Sequence, residues 1–489
     1  MSSTMNRRIA QVFTLLGVGF GGIVVLLTWW QVVVAGELRQ KDLNNQTAYY
    51  EQRVARGFIT TADGVRLAGR VSKEGANGDT IWSRRYPAGT LAAHVLGYDT
   101  RGHSRAGVER AMNDSLTGST RNLGAVVGLL DGNDAAIGDD VRLTIDSKAQ
   151  QVAQDDLDVR KGAVVAIEPD TGRILVAASA PTFRNQQAIT NFDAITAGGG
   201  SALLNRATQG AYPPGSTFKL VTTTAALENG ESPDRTFEGG TVFKVPGEDI
   251  HNYAGEVAPR GHTLAEALTH SYNTTFAQLG TELGDSAMRE QMAKFGFFER
   301  PPVEALPASE VRASGLYDSQ GNQLKPETAV DVARVAIGQE RLLVTPLQMV
   351  LVTAAIANDG KVPEPTLLDE VTRPGGGRTV RSGRQATWKT AMSPQTASEL
   401  TRMMESVVEE GTGTAVRLPG IDIAGKTGTA DVGAGKLVAW FVAFAPANDP
   451  KVAIAVAIED VPSGGTGGTV AAPIARDVLA QLLQAGSGA

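Results

Sequence analysis

YPPGSTFK, residues 212–219, is the stretch from which the rest of the chain is read. Pro213, Pro214 and Gly215 impose a turn and leave Ser216 at its exit. Thr217 to Glu228 then runs without Gly or Pro, and Gly230 is a stop signal, so a helix is expected over that run. Ser216 and Lys219 fall one turn apart on a single helical face. A hydroxyl beside an amine at a helix N-terminus suits an activated nucleophile, because the free N–H groups and the dipole there favour developing negative charge. The same spacing also suits an ordinary helix start with a solvent-facing lysine. Chemistry therefore needs partners elsewhere in the chain.

Composition narrows where those partners can lie. The 489 residues allow two or three domains, and 42% hydrophobic with 20% charged residues is globular. A net charge of −7 argues against nucleic acid as a partner. With no cysteine there is no disulfide, thiolate catalysis or cysteine-bound zinc. The five histidines (His94, His103, His251, His262 and His270) show no metal-ligand spacing, so neither metal nor other cofactor is expected. His270, beside Ser271, is the one to follow.

Outward from the turn, the chain divides into three. Residues 1–36 read as a short tail and a membrane anchor. No charge occurs between Arg8 and Glu37, and the apolar run of residues 9–35 exceeds the about 20 residues that cross a bilayer. Trp29 and Trp30 suit an interfacial belt, and Arg7 with Arg8 favours a cytoplasmic N-terminus, which places the rest outside the cytoplasm. Residues 37–155 form a β-rich pedestal. Arg56 to Gly69 reads as a hairpin about Asp63-Gly64, Arg84 to Tyr98 as a turn and an apolar run, and Asp139 to Leu157 as a strand that becomes helical after Asp146. Residues 156–489 form an α+β domain. Its strands GAVVAI and ILVAASA join through Pro169-Asp170-Thr171-Gly172, and helices and loops fill the next 240 or so residues. Three further strands end in IDIAGKTGTA, KLVAWFVAFAP and KVAIAVAIED, and a helix over 473–484 closes the chain. One antiparallel sheet is expected to join both ends of this domain. GGTGG near Gly464 reads as a flexible loop; without a following Lys-Ser or Lys-Thr it is no phosphate loop.

Two short pieces complete the pattern. Ser271-Tyr272-Asn273 sits at a break between helical runs, and Lys426-Thr427-Gly428-Thr429 on a strand. Ser-x-x-Lys, Ser-x-Asn and Lys-Thr-Gly, in that order, are the signature of penicillin-binding proteins and serine β-lactamases. RGFITTADGVRLA, RRYPAGTLAAHVLGY, NRATQGAYPPGSTFK and AIGQERLLVTPLQMVLVTAAIANDG extend the likeness. The chain resembles class B penicillin-binding proteins, the monofunctional peptidoglycan D,D-transpeptidases, in their short actinobacterial form. TTADG is looser than the usual first pedestal motif. Neither a fused glycan polymerase nor appended C-terminal repeats are expected.

The resemblance implies an acyl-transfer site. Ser216 attacks the penultimate D-Ala carbonyl of a stem peptide, or a β-lactam. Lys219 takes its proton, which requires a neutral amine, favoured by burial and by Lys426. Ser271 relays the proton. Asn273 contacts the substrate amide, Thr427 and Thr429 hold its carboxylate beside Lys426, and Gly428 admits substrate backbone along the strand edge. Backbone N–H groups of Ser216 and Thr429 form the oxyanion hole. A SEDS-type (RodA/FtsW-like) polytopic glycan polymerase is the implied partner. D,D-carboxypeptidase activity and a scaffold role beside such a polymerase are the alternatives. A β-lactamase is disfavoured, since no ExxLN-like string supplies a deacylating glutamate.

Overall fold

The computed structural model describes residues 2–29, 53–75, 80–100, 104–118, 137–197 and 201–486. The N-terminal helix α1 (Ser2–Trp29) contains a 20-residue apolar segment, Ala10–Trp29, long enough to cross a membrane and unburied by the rest of the chain. The remainder of the expected span, including Trp30, lies outside the described residues.

Beyond this helix the chain is organised by two sheets. The first carries β1 (Ile59–Thr60), β2 (Arg66–Glu74), β3 (Thr80–Arg85) and β4 (Asp140–Leu143). Asp63-Gly64 makes the expected turn, with Gly64 at φ 88° and Thr61 N–H donating to Val65 O at 3.0 Å. β4 lies parallel to β1, pairing Val141 with Ile59. It runs into the helix α2 (Ser147–Leu157), capped by Asp146 through Ala149 N–H.

The second sheet is antiparallel throughout. β5 (Gly162–Ile167) and β6 (Ile174–Ala180) form its N-terminal hairpin. The first sheet then gains β7 (Leu368–Thr372) and β8 (Thr379–Ser382), giving the order β8-β7-β4-β1-β2-β3. These two strands fall in the stretch expected to hold helices and loops. Their residues are mostly polar and β8 is exposed along its length, so no alternation betrays them. The pedestal sheet is thus built from both parts of the chain. The boundary expected at 155/156 falls inside α2, which packs on β6 and on the final helix.

The second sheet is completed by β9 (Ala424–Asp431), β10 (Lys436–Ala445) and β11 (Val452–Pro462), in the order β9-β10-β11-β5-β6. Ala166 of β5 pairs with Ile454 of β11, so the sheet joins the two ends of the domain as expected. Apolar side chains face both ways. One face packs on the mostly apolar, buried helix Pro346–Ala357, the other on α2 and the closing helix Ala472–Gly486. β9, which bears the Lys-Thr-Gly sequence, is an edge strand.

The pedestal is pinned by one buried carboxylate. Glu109, fully buried, accepts from Arg84 Nε at 2.5 Å, Arg56 Nη2 at 2.9 Å and the Tyr86 hydroxyl at 3.2 Å. Three sequence segments meet at that side chain. Glu109→Gln leaves buried Arg84 without its anion and Arg56 with Asp99 alone, at 3.4 Å, and is expected to destabilise the fold by about 3–5 kcal/mol. Urea unfolding of the detergent-solubilised protein measures it.

Candidate active site

The turn at 212–219 is held from four sides. Tyr212 N–H donates to Val344 O at 2.9 Å and receives Val344 N–H on its own carbonyl at 2.8 Å. Its hydroxyl donates to Glu459 Oε1 at 2.5 Å. Trp440 Nε1 donates to Pro213 O at 3.0 Å, and Gly215 N–H to Gly338 O at 2.9 Å. The prolines and a left-handed Gly215 (φ 52°) tighten the chain, so Gly215–Phe218 is a 3₁₀ turn and the α-helix proper, α3, spans Lys219–Glu228. The expected helix start at Thr217 is therefore two residues early. Ser216 is half-buried, and its hydroxyl forms no hydrogen bond among the described residues.

Lys219 is not the solvent-facing lysine that the spacing also allowed. It is fully buried, and its Nζ donates to Ser271 O at 2.7 Å, Ser271 Oγ at 3.2 Å and Asn273 Oδ1 at 2.8 Å. Ser271 ends the helix α4 (Leu264–His270) in a left-handed conformation, φ 63°, before α5 (Asn273–Lys294) begins. That break turns its Oγ to a second lysine, for Lys426 Nζ donates to it at 3.0 Å and to Thr427 O at 3.1 Å. Lys426 is also fully buried, and neither lysine forms an ion pair among the described residues. Burial, with Lys426 close by, holds the Lys219 amine well below the usual lysine range. Burial lowers Lys426 to about 7.

A cleft of about 330 Å³ unites the expected residues Ser216, Ser271, Asn273, Thr427, Gly428 and Thr429. Lys219 and Lys426 lie beneath its floor. Gly428 has a reason the sequence did not suggest. A Cβ there would stand 2.8 Å from Pro214 O and 2.9 Å from Thr217 Cγ2, so its bare face is turned to the Ser216 turn. His270 reaches the cleft, exposed and stacked on Tyr272 at 5.5 Å.

Sequence reasoning passed over Tyr253, Glu256, Gln339, Thr412 and Thr466, which also line the cleft. Thr412 Oγ1 lies 2.6 Å from Thr427 Oγ1. Thr466 belongs to the glycine-rich segment expected to be a flexible loop. Instead the segment opens the closing helix, with a reciprocal cap between Thr466 and Thr469, and Gly467 N–H donates to Thr429 Oγ1 at 3.2 Å. Its glycines permit contact rather than motion, since a Cβ on Gly467 would stand 2.1 Å from Trp440 O. Among the described residues no acidic or histidine cluster suits a metal.

The family model described as the penicillin binding protein transpeptidase domain matches residues 162–480. The chain belongs to that family. The penicillin binding protein A dimerisation domain matches residues 56–136 of the pedestal. The peptidoglycan D,D-transpeptidase PbpA of Mycolicibacterium smegmatis is 35% identical, over 99% of this chain and 100% of that protein. The structure of penicillin-binding protein A from M. tuberculosis as an imipenem acyl-enzyme complex superposes with a TM-score of 0.78 at 33% identity, covering 89% of this chain and 100% of that one. The D,D-transpeptidase domain of a peptidoglycan glycosyltransferase from Eggerthella lenta gives 0.76 at 36%, over 89% and 99%.

In this penicillin-binding fold the turn at 212–219 depends on Gly338. It has φ 79°, and a Cβ would meet Gly215 O at 2.0 Å. Gly338→Ala is expected to cost on the order of 2–5 kcal/mol from combined strain and overlap. Calorimetry reads the loss as a lowered Tm.

Proposed function

We propose that this chain is a membrane-anchored peptidoglycan D,D-transpeptidase that works through a Ser216 acyl-enzyme. The observation that carries this is the pair of buried lysines, without a carboxylate partner, on either side of the Ser271 hydroxyl, beside an unbonded Ser216 in an open cleft. The relatives named as D,D-transpeptidases and the imipenem acyl-enzyme of a related chain support it.

The chemistry comes from the pair. Two ammonium groups cannot comfortably share one hydroxyl, and Lys219 is the amine that both burial and the neighbouring Lys426 depress, so it is assigned the neutral form. Neutral Lys219 accepts the Ser216 proton as Oγ attacks the penultimate D-Ala carbonyl. Backbone N–H groups of Ser216 and Thr429 take the oxyanion; one such donor is worth about 10²–10³ in rate. With Lys219 neutral, its two N–H groups serve Ser271 O and Asn273 Oδ1, and Lys426 donates to Ser271 Oγ. The proton of that hydroxyl passes to the leaving D-Ala nitrogen and is replaced from the Lys219 that took the Ser216 proton. Charged Lys426 with Thr427 and Thr429 holds the terminal carboxylate. Asn273, fixed by Lys219 and by a bond from its Nδ2 to His251 O at 2.9 Å, meets the substrate amide. Acylation by β-lactams uses the same atoms. An amine of a second stem peptide then takes the acyl group.

In this reading residues 156–489 other than β7 and β8, with α2, form the catalytic domain, and the first sheet is its pedestal. The N-terminus is cytoplasmic, as Arg7 and Arg8 before the apolar run favour, and the cleft is extracytoplasmic. A polytopic SEDS-type glycan polymerase supplies the strands to be cross-linked.

Two outcomes test the assignment. Ser216→Ala is expected to lose all covalent labelling by a fluorescent penicillin while keeping the wild-type Tm; an adduct on that variant would show that another group is the nucleophile. For a D-Ala-D-Ala peptide, kcat/KM is expected to rise with pH through the depressed value of Lys219, whose neutral form is the base. It then falls through about 7 as Lys426 loses its charge. The C-terminal amide of the same peptide, with no carboxylate to hold, should lack the falling limb in a stopped-flow pH series.

A further inference from the structure

The cleft carries a charge that the acylation step leaves unused. Thr427, Thr412 and Thr429 in its lining, with Lys426 buried beside them, suit an anion. Glu256 is the only acidic residue in that lining among the described residues. Glu256 is exposed, and no cation pairs with it among the described residues.

Its place is fixed by the backbone. Asn252, 4% exposed, donates through Nδ2 to Glu256 O and Gly240 O, each at 3.0 Å. The Oδ1 of Asn252 accepts Thr274 N–H at 3.0 Å, in the first turn of α5. Ser271, Asn273 and the segment bearing Glu256 are thereby tied together. Between Asn252 and Glu256 the chain reverses through two left-handed residues, Ala254 at φ 52° and Gly255 at φ 77°. That conformation is disfavoured for alanine and persists only where the surroundings impose it. A carboxylate without a counterion, held over the cleft by a strained and clamped turn, is suited to a cation brought by the substrate.

The geometry points to Glu256 as the carboxylate that receives a primary ammonium of a stem peptide at the mouth of the cleft. This deepens the transpeptidase reading and rests on it. The ammonium has two sources of the same chemistry, the acceptor strand or an amine on the donor's own side chain. In the acceptor case Glu256 gathers R–NH₃⁺ beside the Ser216 ester. The ammonium loses one proton to the neutral Lys219 amine, and the free nitrogen attacks the acyl carbon. The new C–N bond forms, the bond from carbon to Ser216 Oγ breaks, and Oγ is reprotonated. Of the three ammonium protons, one stays in the amide, one ends on Ser216 and one reaches solvent.

The test uses the full chain in detergent with a D-alanyl thioester donor. The acceptors are D-alanine and D-lactate, which differ in carrying an ammonium or a hydroxyl. Glu256→Gln is expected to lower the ratio of amide to hydrolysis product roughly three- to tenfold, the range of a single partly exposed ion pair, and Glu256→Lys to lower it further. The ratio of ester to hydrolysis product should stay as in the wild type. These ratios report how the acyl-enzyme divides, so they are independent of how fast it forms. A second arm compares KM for donors whose residue before D-Ala-D-Ala is lysine or acetyl-lysine; if the ammonium belongs to the donor, Glu256→Gln abolishes the difference. A change in either arm supports the inference and names the source. Unchanged ratios and unchanged KM differences in both variants overturn it. Absence of a Ser216–penicillin adduct in the wild type would be a separate result, overturning the transpeptidase reading itself.

Discussion

Two lysine amines share one serine hydroxyl in a site that offers them no carboxylate. Lys219 and Lys426 are both fully buried and both reach Ser271 Oγ, at 3.2 and 3.0 Å. Burying a charge without a partner is among the costliest things a fold can do, and lysine escapes by losing its proton. The arrangement thus depresses both amines, Lys219 through burial with Lys426 beside it and Lys426 through burial. It works because the partners are neutral oxygens: Ser271 O, Ser271 Oγ, Asn273 Oδ1 and Thr427 O. An aspartate in their place would restore both charges and remove the base.

Such a constellation requires backbones closer than side chains normally permit. α3 brings Lys219, the α4–α5 break brings Ser271 and β9 brings Lys426. The turn at 212–219 lies against β9, where Gly428 leaves room for Pro214 O and Thr217 Cγ2, and against Gly338. The first turn of the closing helix presses on β9 from the far side and fixes Thr429 Oγ1. β9 can serve these contacts because it is an edge strand, paired only with β10.

Much of this was legible in the chain. The Asp63-Gly64 hairpin, the helix that follows Asp146, the five core strands and their joining of the two domain ends come from turn chemistry and apolar runs. Ser216, Lys219, Ser271, Asn273 and Lys426 converge as the motifs implied. Illegible features share a cause, since each depends on something far away in sequence. β7 and β8 are polar because they extend a sheet edge, so no periodicity marks them. Thr412 and Gln339 become cleft residues only through the backbones that Gly338 and Gly468 let approach, as with Gly468, whose Cβ would stand 2.6 Å from Thr412 O. Glycine-rich 464–468 reads as mobile because composition alone cannot distinguish a hinge from a tight contact. Glu256 lies on a surface turn whose meaning comes from a buried asparagine.

The interleaving of the two sheets bears on how pedestal and catalytic domain act together. β4 leads straight into α2, and Thr144 between them donates through Oγ1 to Ile174 O at 2.6 Å while its N–H donates to Leu367 O at 3.0 Å. One residue thus bonds both the catalytic sheet and the segment leading to β7. Asp369 of β7 accepts from Arg142 of β4 and from Arg173 beside β6, each at 2.5 Å. These arginines hold its carboxyl below the usual range, against the effect of burial. Sliding one sheet past the other would break the buried Thr144 bond to Ile174 and both Asp369 ion pairs. β6 lies at the opposite edge of the catalytic sheet from β9. The lysine pair is therefore kept away from the joint, where its spacing around Ser271 is set by α3, the α4–α5 break and β9 alone.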